Sequence, residues 1–129
     1  MTNPGRELSS SFRTQILVPG VVGIGIYSCE WLSIAGLVEP FCGTSTLAHY
    51  ASIYIGTLVA AVVLGRYLCR SWTTGASALM APPLFVRHVA FLVESGPSNL
   101  WPPLLVADLL HAGIIALVFF LIARVRKQA

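Results

Sequence analysis

The chain has 129 residues, of which 56% are hydrophobic and 10% charged, with a formal net charge of +3. A soluble domain carries about 25% charged residues, so an ordinary water-soluble globular fold is excluded. The chain also lacks a P-loop, a dinucleotide fingerprint and a Ser-His-Asp arrangement, which argues against nucleotide, nucleic-acid and soluble-hydrolase roles. The mean hydropathy of +0.79 comes from apolar blocks of about twenty residues, the length a bilayer-spanning helix requires.

The first fifteen residues, MTNPGRELSSSFRTQ, are polar. The apolar run after them is too long for a signal-peptide core, so no cleavable signal is expected. That run, Ile16–Val38, is the first predicted span. It contains Glu30 and a set of small residues, Gly25, Cys29, Ser33 and Gly36, that falls on one helix face and suits close helix packing. The loop EPFCGTSTL follows, with Glu39 and Cys42. Cys29 and Cys42 are candidates for a disulfide at this end, whereas Cys69, on the other side, is expected to be a free thiol.

The second span, Ala48–Leu68, has His49 near its start and a small residue at every fourth position: Ala48, Ser52, Gly56 and Ala60. These stripes predict tight packing of the first two helices on each other or on another subunit. After the short loop CRSW comes the third span, Thr73–Val93, with Pro82 and Pro83 in its middle and Arg87 and His88 beyond them. Proline lacks an amide hydrogen and clashes with the preceding turn. The third helix is therefore expected to be kinked or broken at Pro82–Pro83, with an outer half-helix starting at Leu84. The loop ESGPSNL leads to the fourth span, Trp101–Ala123, whose start is marked by Asn99, Pro102 and Pro103, because proline is tolerated in a first turn.

Basic residues orient the chain. Arg6 and Arg13 precede the first span, Arg66 and Arg70 lie between the second and third, and Arg124, Arg126 and Lys127 follow the fourth; the other two loops hold Glu39 and Glu94 and no Lys or Arg. Basic residues are retained on the cytoplasmic side, which places both termini there and requires an even number of crossings. The predicted architecture is all-α: an integral membrane four-helix bundle, one transmembrane domain over residues 1–129.

A rise of about 1.5 Å per residue turns position into depth from the outer surface: about 12 Å for Glu30, about 8–9 Å for Arg87 and His88, about 10 Å for Asp108 and about 14 Å for His111. His49 sits near the outer mouth. The intramembrane ionisable groups thus share the outer half of the bilayer. Such groups are costly in lipid and face the bundle interior, which predicts one polar pocket lined by Glu30, Arg87, His88, Asp108 and His111. Asp108 and His111 share a helix face. Arg87 and His88 are about 100° apart, so only one is expected to point straight inward.

Several chemistries fit this set of residues. An architectural reading pairs Arg87 with Asp108 or Glu30 to fix helix pairing. A metal or haem reading uses His88, His111, His49 and Asp108 as ligands, since imidazole is the commonest metal ligand. A quinone, lipid or isoprenoid reading has Arg87 and His88 hold the head group while Glu30, Asp108 and His111 handle protons. Proton-coupled transport would use the same acids. The favoured expectation is a small subunit of a larger membrane redox complex, binding a metal, haem or quinone-like group. Its expected partners are membrane lipids and other membrane subunits or further copies of the chain, with no nucleic acid. The alternatives are a stand-alone membrane enzyme acting on a lipid or isoprenoid and a small proton-coupled transporter.

Overall fold

The computed structural model describes residues 5, 10–34, 46–96, 99 and 101–128, without the side chains of 29–34, 46–50 and 95. Among these residues there are four α-helices and no strand: α1 Val18–Ile34, α2 Thr46–Tyr67, α3 Trp72–Ser95 and α4 Trp101–Gln128. The chain is all-α, and α3 and α4, with 24 and 28 residues, are long and apolar enough to cross a membrane. The apolar stretch of α2, Ala51–Tyr67, is shorter. Pro102 and Pro103 occupy the first turn of α4 as expected. Expected residues 35–38 of the first span, Glu39 and Cys42 lie outside the described residues.

A π-helical turn, Arg13–Leu17, leads into α1. The Val18 amide bonds back to the Arg13 carbonyl, one residue further than in an α-helix. Pro19, next in the chain and buried, has no amide to continue the ladder. The turn is anchored by Gln15. Its Nε2 donates to the Leu68 carbonyl (2.6 Å) and its Oε1 accepts from the Arg70 amide (2.7 Å), so one side-chain amide clamps the loop between α2 and α3.

The helices pack as a square. α1 touches α2 and α3, and α4 touches α2 and α3, so α1 and α4 occupy opposite corners. Buried positions recur at helical spacing, at Asp108, His111, Ile115 and Phe119 on α4 and at Ile53, Thr57, Ala61 and Leu64 on α2. Tyr27, Leu79 and Met80 complete the centre of the core. Opposite these stripes the helices expose apolar residues, among them Ile55, Val59, Phe85, Val93, Leu109, Leu110 and Leu117.

The double proline does not break α3, which runs without interruption from Trp72 to Ser95. There is accordingly no separate half-helix beginning at Leu84. Pro82 and Pro83 deprive the carbonyls of Ala78 and Leu79 of their helical donors, and α1 closes on that seam with two glycines. A Cβ on Gly20 would lie 3.5 Å from the Ala78 oxygen, and one on Gly23 would overlap the Leu79 oxygen outright. At Gly23 only a residue without a side chain lets the backbones come this near, whereas at Gly20 a Cβ would make an ordinary van der Waals contact. At both, Cα–H groups can face the orphaned carbonyls. The two small-residue stripes read from the sequence, one on each of the first two helices, behave differently. Gly56 does meet Ile26 of α1, whereas Gly25 faces open space.

Candidate functional site

Four polar or charged side chains are buried among the described residues: Thr57, Arg87, Asp108 and His111. Asp108, at 1% exposure, is the centre of the arrangement. It projects from α4 toward α3, where both Arg87 and His88 reach it. Arg87 donates from a guanidinium nitrogen to Oδ1 at 2.8 Å. His88 brings Nε2 to 2.9 Å from Oδ2, an ion-pair distance, although the approach is not aligned as a hydrogen bond. On its other side His88 Nδ1 accepts from the Trp101 indole N–H at 3.2 Å. That acceptor role puts the proton of a neutral ring on Nε2, facing the carboxylate.

The sequence spacing suggested that only one of Arg87 and His88 would point inward. Both converge on one carboxylate instead, because the long arginine stem swings 5%-exposed Arg87 into the interior while the shorter histidine stays at the rim, 13% exposed. The Arg87 guanidinium also lies over the ring of Tyr27, 5.8 Å from its centroid, so α1 closes the site with the negative face of an aromatic ring. Three helices thereby surround one carboxylate.

His111 shares the buried face of α4 with Asp108, as its spacing predicts, but it bonds elsewhere. Its Nε2 lies 2.7 Å from the Thr57 hydroxyl, and its ring packs at 4.5 Å from that of Tyr54, so it ties α4 to α2. The Thr57 hydroxyl also reaches the carbonyls of Ile53 and Tyr54, which lets it serve the helix backbone and the imidazole together.

The backbone at Glu30 lies on α1 and that at His49 on α2; their side chains lie outside those described. Among the described residues no three His, Cys, Asp or Glu side chains converge as a metal site. His88 fits a metal or haem iron poorly, because Nδ1 is taken by Trp101 and Nε2 faces Asp108. Tyr27, Thr57 and the bonding role of Trp101 were missed from the sequence. A tyrosine or threonine in an apolar helix carries no signal of its own, and Trp101 at a helix start reads equally well as an interfacial anchor.

No protein-family model matches the chain, and neither a curated protein nor a solved structure matches it.

Proposed function

We propose that the chain is an integral membrane protein of four crossings with both termini cytoplasmic. In this reading its Arg87–Asp108–His88 network, in the outer half of the bilayer, binds the head group of a quinone-like amphipathic molecule, and the chain serves as a small subunit of a larger membrane redox complex. The membrane placement is supported by an inverted distribution of side chains. Arginine, aspartate, histidine and threonine are inside, while valine, leucine and phenylalanine cover the outer faces of the helices; an exposed apolar surface with buried polar groups is the informative departure from a soluble fold. The alternation of basic and acidic loops supports the orientation.

One observation carries the site. A nearly inaccessible carboxylate holds an arginine on one oxygen and, on the other, an imidazole at the rim. The arginine keeps the acid compensated, and the Trp101 bond orients the imidazole with its proton on the inner nitrogen. In this reading a carbonyl head group replaces the Trp101 indole at Nδ1, and the imidazole, once protonated beside the carboxylate, donates to it from that nitrogen and passes it a proton on reduction. An amphipathic ligand suits a site flanked by apolar helix faces, whereas a metal would find no three converging His, Cys, Asp or Glu ligands among the described residues.

Solvent extraction of the chain purified with its native partners should release an isoprenoid quinone in stoichiometric amount, and His88→Gln should abolish it while leaving the assembly intact. A Soret band or a stoichiometric metal in that preparation would replace the quinone reading with a cofactor one. Full quinone retention by the double variant Arg87→Leu/Asp108→Leu would reduce the pair to helix architecture.

A further inference from the structure

The opposite end of the bundle carries a second feature, separate from the acid-centred network. A cleft of about 480 Å³ opens between α2 and α4, lined by Val62, Arg66, Tyr67, Leu121, Ile122, Val125 and Arg126. The two helices run in parallel here, since Thr57 meets His111 and Gly65 meets Ile122. Arg66 lies one turn beyond Val62, and Arg126 one turn beyond Ile122. The cleft therefore has apolar walls along its length and two guanidinium groups at one end.

We propose that this cleft holds an anionic phospholipid, with one acyl chain along Val62, Leu121, Ile122 and Val125 and its phosphate between Arg66 and Arg126. The inference rests on the membrane placement above but not on the quinone reading. Charge complementarity and shape together favour this occupant. Arg66 and Arg126 belong to a wholly basic end with Arg13, Arg70, Arg124 and Lys127, whereas the acids among the described side chains, Glu94 and Asp108, lie toward the other end. Among the described side chains neither arginine has a carboxylate partner.

Both arginines are also pre-positioned. Arg66 stacks over the Tyr67 ring at 5.9 Å, and Arg126 donates one guanidinium nitrogen to the Arg70 carbonyl at 3.1 Å. A guanidinium has five N–H donors, so each keeps donors for phosphate oxygens, and planar arginine suits phosphate better than a point charge does. Exposed Tyr67 sits where an aromatic side chain favours the headgroup level. The volume falls within the range of about 300–1,000 Å³ for small-molecule sites. Basic pockets between helices on the cytoplasmic side are suited to anionic headgroups.

The test uses the full chain in detergent, titrated with phosphatidylglycerol or phosphatidylcholine and read by native mass spectrometry. The expected result is one retained phosphatidylglycerol that phosphatidylcholine does not match. Affinity should fall about fivefold for each arginine lost in Arg66→Gln/Arg126→Gln. Arg126→Lys should restore part of the loss, and Arg13→Gln/Arg124→Gln, with the same change in net charge, should leave binding unchanged. Equal loss in both double variants would mean diffuse attraction and would overturn the site. So would equal uptake of phosphatidylcholine, or displacement of the lipid by inorganic phosphate at matched concentration. Resistance of the chain to alkaline extraction from membranes tests the placement independently: a chain that resists extraction but retains no phosphatidylglycerol fails this inference alone.

Discussion

At one end of the bundle, Asp108, Arg87 and His88 turn inward and meet one another. At the other, Arg66, Arg124, Arg126 and Lys127 turn outward and meet no acid among the described side chains. The same residue type is thus used in two physical regimes. Arg87 is withdrawn from solvent, where an unpaired charge is expensive, so its position is dictated by the carboxylate it finds. The outward arginines retain their hydration and pay little for meeting no carboxylate among the described side chains, and in the proposed reading they act through their summed field on topology and on anionic ligands. Buried charge specifies helix pairing; in the proposed reading it also serves chemistry, and exposed charge sets orientation and surroundings.

The sharpest way to break this contrast is to remove one inward partner. Asp108→Leu should destabilise the folded chain by about 3–5 kcal/mol, because Arg87 is left buried without its counter-charge, whereas Arg87→Leu/Asp108→Leu should be near neutral. Thermal unfolding in detergent measures both. Equal losses in the single and double variants would show that Arg87 escapes to solvent and that the inward regime does not exist. Arg124→Gln, its outward counterpart, should change stability by no more than about 0.5 kcal/mol.

A second intervention compares two glycines on α1. Gly23→Val drives a side chain into the Leu79 carbonyl left without a donor by Pro83 and should cost about 1–3 kcal/mol through overpacking. Gly25→Ala, which faces open space, should be neutral or slightly stabilising. Comparable losses at both positions would remove the account of why α3 stays continuous.

Smaller still is the effect expected at His111. Thr57→Val removes its hydroxyl partner and should cost about 1 kcal/mol, detectable as a lower unfolding temperature with the Arg87–Asp108 pair intact. The smallest effect concerns Cys69, a free, buried thiol in the loop between α2 and α3. Burial pushes its pKa above the ordinary thiol range, and the Arg126 charge opposes that rise only in part. The thiolate is the reactive form, so alkylation should be slow at pH 7 and accelerate as pH rises beyond the usual thiol titration. Arg126→Gln should slow it further by removing the opposing charge; faster alkylation in that variant would contradict the assignment.

Much of this arrangement was legible in the sequence because it follows from period and composition. Helix positions, the proline-marked start of α4, the shared face of Asp108 and His111, and the candidacy of Asp108 as a partner for Arg87 all come from spacing that a helix imposes locally. What was not legible depends on which helices become neighbours. Gly20 and Gly23 are unremarkable until α1 is laid against α3, where they meet Ala78 and Leu79. Pro82–Pro83 reads as a break because the compensating contact lies about sixty residues away in the chain. Arg87 and His88 diverge by helix angle alone, and only the length of the arginine stem brings both to one carboxylate. His111, expected to work alongside Asp108, bonds Thr57 instead, since the identity of the facing helix decided its partner.

The central claim is that the inward network recognises a ligand as well as pairing helices. It is tested most directly by titrating a short-chain quinone into the full chain in lipid nanodiscs and following tryptophan fluorescence, with Trp31→Phe/Trp72→Phe isolating Trp101, the indole bonded to His88. Saturable quenching that disappears in Arg87→Leu/Asp108→Leu, while that variant keeps its unfolding temperature, is the result predicted. Quenching of equal affinity in the folded double variant would contradict the claim and leave the network as architecture alone.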